Sequence, residues 1–164
     1  MFNIFKLKEI LVLYKGKFAS EQWPNEKYKW EAVKCFRDNW NINAPDFADM
    51  LTRSLSKTRN LLASSNNFPA ETLRSFSKAA PEEVRAMFID LFDERNDVVS
   101  RILGFKAKAA ELLEKYGNGA GQHYQYENAV STYLWLHFPD KYYIYRYSDV
   151  KTVSETLGSE YLFK

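Results

Sequence analysis

One cysteine, Cys35, is all the thiol chemistry that 164 residues carry. That excludes an intramolecular disulfide and a thiolate zinc cluster, each of which needs several cysteines. A small, buried hydrophobe on a helix is the expected role of Cys35. Histidine is nearly as scarce, and His123 and His137 have no HExxH-type spacing that would pair them on a metal. Long apolar runs are missing too. The N-terminal "MFNIFKLKEILVLYKGKF" is broken by Lys6, Lys8 and Glu9 and has no small-residue cleavage site, so it reads as neither a signal peptide nor a membrane span. A cytoplasmic protein without a membrane partner is the default expectation. Nor does either sign of charge dominate, since 23 Lys and Arg face 21 Asp and Glu. The balance drifts along the chain, with 11 basic and 7 acidic residues in 1–60, 7 and 7 in 61–110, and 5 and 7 in 111–164. A dedicated non-specific DNA binder carries a stronger basic surplus, so any nucleic-acid role has to rest on a local patch or pocket.

Aromatic residues, by contrast, are plentiful. Four Trp, eleven Tyr and twelve Phe exceed what a core of this size requires, so some rings are expected to line a groove or partner surface. The length suits one domain with a real core and is short for two.

Helical periodicity dominates the pattern. Phe2, Phe5, Leu7, Ile10, Leu11, Leu13, Tyr14 and Phe18 suggest a buried stripe, with Pro24 breaking the helix. Tyr28, Ala32, Cys35, Phe36 and Trp40 form a second stripe, with Asn25 as its N-cap. Phe47, Met50, Leu51 and Leu55 form a third, with Pro45 in its first turn. Further helices are expected to start on Pro69 and on Pro81, the latter with two acids in its first turn where the helix dipole favours them. One more runs to Gly117 as its C′ residue, another covers "YENAVSTYLWLHF", and a short one is capped at Ser148 and stopped at Gly158. Only residues 141–146 read as a strand. The expectation is therefore a mainly α, single compact multi-helix domain over 1–164, with at most one or two short strands around 141–146 and residues 1–24 as a peripheral helix.

Three stretches invite a chemical reading. "GNGAGQ" (Gly117, Gly119, Gly121) lacks the Lys and Ser/Thr of a P-loop and the preceding strand of a dinucleotide fingerprint, so it is a helix stop and loop. Asp90, Asp93, Glu94 and Asp97 have helical spacing, yet Arg95 interrupts them and Asp97 suits the start of the next helix. They read as a solvated turn with N-capping carboxylates. The third stretch, "PDKYYIYRYSDVK", imitates the outline of a metal-dependent nuclease through Asp140, Asp149 and Lys151. That chemistry needs two carboxylates converging at adjacent strand ends, and a helix start at Ser148 would remove the second strand. As a strand, the same stretch alternates Tyr143, Tyr145 and Tyr147 with Tyr142, Ile144 and Arg146. Rings beside cations can stack on unpaired bases and hold phosphate, or the tyrosines can close the core against Tyr133, Leu134 and Leu136.

Four stretches, "YKWEAVKCFRDNW", "FADMLTRSLSKTRNLL", "VRAMFIDLFDE" and "AVSTYLWLHFPDKYYIYRYSDVK", resemble the N-terminal region of bacterial McrB-like AAA+ proteins, which are 5-methylcytosine-specific restriction-related ATPases or GTPases. The resemblance runs from about residue 25 onward. It implies a DNA-recognition and targeting domain without catalysis or cofactor of its own. A motor using GTP or ATP with magnesium would work in cis, and a separate nuclease subunit would cut. These 164 residues contain no Walker A or Walker B sequence, and the abrupt "GSEYLFK" ending places the expected motor beyond Lys164, with oligomerisation through that motor. DNA, methylated in the family's manner, is the implied partner. The contacts expected for it are Lys141, Tyr143, Tyr145, Arg146 and Lys151, with Trp135 or Tyr133 as ring partners. Two alternatives stand beside this reading: a protein-docking module of the same system, and the metal-dependent nuclease.

Overall fold

A computed structural model describes residues 2–63 and 66–160; Tyr161–Lys164, within the abrupt ending, lie outside the described residues. The chain is mainly α-helical, and among the described residues no β-strand forms. In order, the elements are α1 (Ile4–Lys17), a π-helical turn (Phe18–Gln22), α2 (Trp23–Asn39), α3 (Phe47–Ser54), α4 (Arg59–Leu62), α5 (Pro69–Ala79), α6 (Pro81–Phe92), α7 (Val98–Tyr116), α8 (Glu127–His137) and α9 (Tyr147–Thr156). Cα proximity groups them into two compact units. One comprises Met1–Tyr28 with Tyr145–Lys164, and the other Lys29–Ile144. No helix among the described residues is long and apolar enough to cross a membrane.

In the larger unit, local chemistry sets the helix ends. Pro69 and Pro81 each open a helix at the position where a missing N–H costs nothing. The residues before them, Phe68 and Ala80, are held out of the α region (φ −127° and −143°), which makes Ala80 a one-residue hinge between α5 and α6. Asp46 caps α3 through Asp49 N–H, and Asp97 caps α7 through Ser100 N–H. α6 packs against α5, α7 and α3, and α8 packs against α7 and α4. The apolar stripes meet in a core that includes Phe36, Phe47, Leu51, Leu73, Phe76, Phe88, Leu91, Leu112 and Tyr133, all at most marginally exposed.

Phe88 of α6 is the hub of that core. Trp40, Phe105 and Tyr133 meet its ring edge-on at centroid distances of 4.9, 5.4 and 5.6 Å, and Phe47 and Phe92 flank it at tilted angles. Edge-to-face contacts of this kind add to the area each ring buries. Tyr133 also carries a polar atom into the interior. Its hydroxyl donates to Gln125 Oε1 at 2.9 Å, while Gln125 Nε2 donates to Pro69 O at 2.8 Å, so a fully buried amide and hydroxyl satisfy each other. Burial pushes the Tyr133 hydroxyl pKa far above its ordinary value.

Several helix boundaries differ from the expectations. Pro24 does not break the chain's helix. It sits in the first turn of α2, just after the π-helical turn in which Trp23 N–H reaches back to Phe18 O, and that wider turn accommodates a residue with no N–H. Asn25 is inside α2, not its N-cap, and its side chain donates to Glu21 O at 2.8 Å. The stripe on α1 forms a helix but is not a buried one, since none of its residues is buried. Pro45 precedes the Asp46 cap rather than entering α3. Gly117 caps α7 in the right-handed region, and Asn118 takes the left-handed position after it (φ 47°). α9 begins at Tyr147, so Ser148 lies within the helix and its hydroxyl turns to Asp149; Gly158 does stop it, at φ 64°.

The strand expected at 141–146 is absent. Lys141 and Tyr142 N–H both fold back onto Phe138 O at 3.0 and 3.1 Å, and residues 142–146 then run irregularly. Period-two alternation is a strand signal only where a neighbouring strand supplies the ladder, and none does here.

Phe88→Ala should remove about 3–5 kcal/mol of stability in urea denaturation, the range for emptying a buried aromatic site. Tyr133→Phe keeps the ring but strands Gln125 Oε1, and should cost about 1–3 kcal/mol in the same assay.

Candidate functional site

Where α2, α6 and α8 end close together, the larger unit leaves an open cleft of about 480 Å³. Trp40, Phe92 and His137 supply its rings, Ile42 and Ile89 its aliphatic walls, and Asp93 and Asn41 its polar rim. Each ring is there because its helix has run out. Trp40 follows the last residue of α2, Phe92 is the last residue of α6, and His137 is the last of α8. His137 lies flat on Phe92 at 4.1 Å with an interplanar angle of 6°, and Trp40 meets that stack at 5.5 Å from Phe92 and 6.2 Å from His137.

Two arginines hold the walls. Arg85 of α6 donates to Ala44 O at 2.9 Å and to Ile42 O, with its guanidinium 4.8 Å over the Phe47 ring and its Nε on Glu82. The loop after α2 is thereby tied to α6 through its backbone. Arg101 of α7 is buried and donates to Leu91 O at 2.7 Å and to the Tyr142 hydroxyl at 2.6 Å. Tyr142 in turn donates to Glu94 at 2.9 Å, and Lys141 pairs with the same carboxylate. The end of α6 and the turn after α8 are thus fastened together on one side of the cleft.

The electrostatics follow from these contacts. Two Arg95 N–H bonds at 2.8 Å hold the Asp93 carboxyl down to about 2. Lys141 and Tyr142 likewise lower the Glu94 pKa. Burial lowers the His137 pKa, with the Arg37 charge acting in the same direction. At neutral pH the cleft therefore presents a neutral stack of rings beside an ionised, arginine-bound carboxylate. Such a site suits a flat, unsaturated ligand held by stacking, with its edge read by Asp93 and Asn41. Among the described residues no group of three or more His, Cys, Asp or Glu side chains converges to hold a metal ion.

The residues expected to contact DNA are divided between the two units. Tyr143 is 82% exposed and Lys141 is exposed, both in the larger unit. Tyr145, Arg146 and Lys151 are exposed but belong to the smaller unit. Trp135 and Tyr133 cannot serve as stacking partners. Trp135 is only 7% exposed and packs on Trp30 at 5.6 Å, and Tyr133 is enclosed in the core. An amphipathic helix rich in rings had left their direction open, and α8 turns almost every side chain inward. Asp140 and Asp149 fall in different units, with Asp149 in the first turn of α9 rather than at a strand end. The acidic turn, however, forms as expected, with Asp93 on Arg95 and Asp97 as the cap of α7.

Compared with protein-family models, curated proteins and solved structures, the chain matches none. The cleft itself was missed from sequence. Its signal was present as an aromatic at the end of each of three helices ("NW", "LF" and "LHF"), but nothing local says that those ends converge.

The lowered His137 pKa fixes the sign of a pH effect. Between the ordinary value of 6.5 and the lower folded value, the unfolded chain binds more protons than the folded one. Stability should therefore fall as pH drops through 6.5 towards the lowered folded value. His137→Phe should retain the stack on Phe92 and flatten that fall, as followed by melting temperature across pH. A residual slope is expected from His123, whose pKa burial also lowers.

Proposed function

We propose that the chain is a non-catalytic nucleic-acid-recognition module of a McrB-like, modification-dependent restriction system. In this reading an unpaired base enters the cleft between Trp40, Phe92 and His137, and the strand beside it meets Tyr143 and Lys141. The observation that carries the reading is the open aromatic cleft, with an almost fully exposed tyrosine and a lysine on the segment fastened to its rim. Base-on-ring stacking contributes about 1–3 kcal/mol per base and tolerates any sequence. That suits a chain whose net charge of +2 is too small for binding by phosphate attraction alone. The resemblance of its sequence to McrB-like N-terminal regions supplies the biological setting: methylated DNA as ligand, a GTP- or ATP-driven motor in cis, and a nuclease subunit that cuts. Tyr145, Arg146 and Lys151 are not needed for the cleft to act.

A docking role has one observation in its favour. α1 exposes Phe5, Val12 and Leu13 and buries nothing, so its apolar surface is open to a protein partner.

The test is fluorescence anisotropy with methylated and unmethylated duplexes and single strands, over a salt series. Trp40→Ala and Tyr143→Ala should each weaken binding roughly tenfold, as loss of one stacked base requires. Lys141→Ala should lower the salt dependence by about one ion. Absence of binding at low salt, or affinities unmoved by both ring variants, would refute the cleft as a base site. Co-purification of the native chain, but not of a Phe5→Ser, Val12→Ser variant, with a nuclease subunit would favour the docking role instead.

A further inference from the structure

A second cavity in the larger unit shares no residue with the aromatic cleft. It measures about 730 Å³ and is lined by α4, the start of α5 and the turn before α4. Leu55, Leu62 and Phe68 form its apolar wall, and Arg59, Arg74, Asn60 and Glu71 its polar one, with the Glu71 carboxylate engaged by Arg74. Phe68, with Tyr124 edge-on at 6.3 Å, keeps 41% of its surface open. Arg59 is exposed and, among the described residues, has no acidic partner. Arg74 is different: its side chain is only 22% exposed, and it is pinned by Leu55 O at 2.8 Å and Glu71 at 3.0 Å. A guanidinium has five N–H donors, and those two bonds leave most of them unused. Its Nε–H is enclosed without any acceptor. The enclosed Nε–H is out of a ligand's reach, but the remaining Nη hydrogens, at a concave surface, are donors for acceptor oxygens.

We propose that this cavity binds a nucleotide unit, its phosphate between Arg59 and Arg74 and its base against Phe68. Arg74 is preorganised by the Leu55 carbonyl, so little side-chain freedom is lost on binding, and Arg59 on the same polar wall supplies the second cation. Leu55 and Leu62 exclude water from the ring. The volume lies within the range of small-ligand sites, and the mixture of one open ring, apolar wall and convergent donors is what such sites share. A mononucleotide and one nucleotide of a single strand offer the same ring and phosphate, so the chemistry fits both.

Isothermal titration of the full 164-residue chain with the four deoxynucleoside 5′-monophosphates tests this, with deoxynucleosides and inorganic phosphate as controls. Saturable binding of the monophosphates is expected, with both controls at least about tenfold weaker. Arg59→Ala and Phe68→Ala should each weaken binding about tenfold, and Phe68→Tyr should retain it. If Phe68→Ala fails to fold, Arg59→Ala and Phe68→Tyr decide the matter. A single-stranded octathymidylate that binds more tightly than the monophosphate assigns the site to a strand, and weaker binding assigns it to a free nucleotide; either result upholds it. The proposal is overturned by no saturable binding up to about 1 mM, by inorganic phosphate binding as well as the nucleotides, or by an affinity indifferent to Arg59→Ala. Because Arg59 and Phe68 lie outside the aromatic cleft, an affinity that follows their variants reports this cavity, and its failure and that of the cleft are read separately.

Discussion

Phe88 sets the terms for the larger unit. Its ring is in edge or tilted contact with Trp40 just after α2, with rings from α3, α7 and α8 and with Phe92 of its own helix, so none of those elements can shift without opening a gap at the centre. Protein interiors pack at crystal-like density, and a void beside an aromatic ring forfeits dispersion contacts on the whole of one face. That constraint propagates outward. Trp40 stacks on buried Phe36 and meets Phe88 edge-on while also lining the cleft, and Phe92 likewise joins core and surface. The cleft is the outer margin of the core, so its rings are as rigid as the core that carries them. Preorganised rings bind flat ligands without a large cost in ordering.

Much of the fold was legible because helix punctuation is local. Pro69 and Pro81 open helices, Asp97 caps one, Gly158 stops one, and apolar residues at three- and four-residue steps mark the inner faces of α3, α5 and α6. Errors arose where a local sign has two meanings. A proline near a helix start is compatible with a break or with a widened turn, and at Pro24 the π-helical turn decides it. Alternating tyrosines suit a strand or an irregular segment crossing a surface, and only a neighbour's hydrogen bonds distinguish them. An apolar stripe such as that on α1 records what a helix can bury rather than what it does bury.

The candidate sites were less legible, for a related reason. Lys141 and Tyr143 were found because cation and ring adjoin in sequence. Trp40, Phe92 and His137 lie far apart in sequence and meet only through tertiary packing. Arg74 and Arg85 look like ordinary surface arginines at i,i+3 from a glutamate. Their backbone bonds to Leu55, Ile42 and Ala44, which give them their positional roles, join residues 19 to 43 apart along the chain. Exposed pairs such as Arg74–Glu71 contribute little by themselves. The long-range half of each arginine is the informative half, and no periodicity reports it.

Arg85 and Arg101 make those long-range bonds to peptide oxygens at Ile42, Ala44 and Leu91, which every amino acid possesses. The scaffolding of the cleft is therefore blind to the identity of the residues it holds. Asn41 and Ile42 can be exchanged while the chain trace beneath them stays anchored, so the lining of the cleft is free to change independently of its shape. A recognition surface arranged in this way can diversify quickly under changing selection, because a new specificity does not have to be accompanied by a new loop.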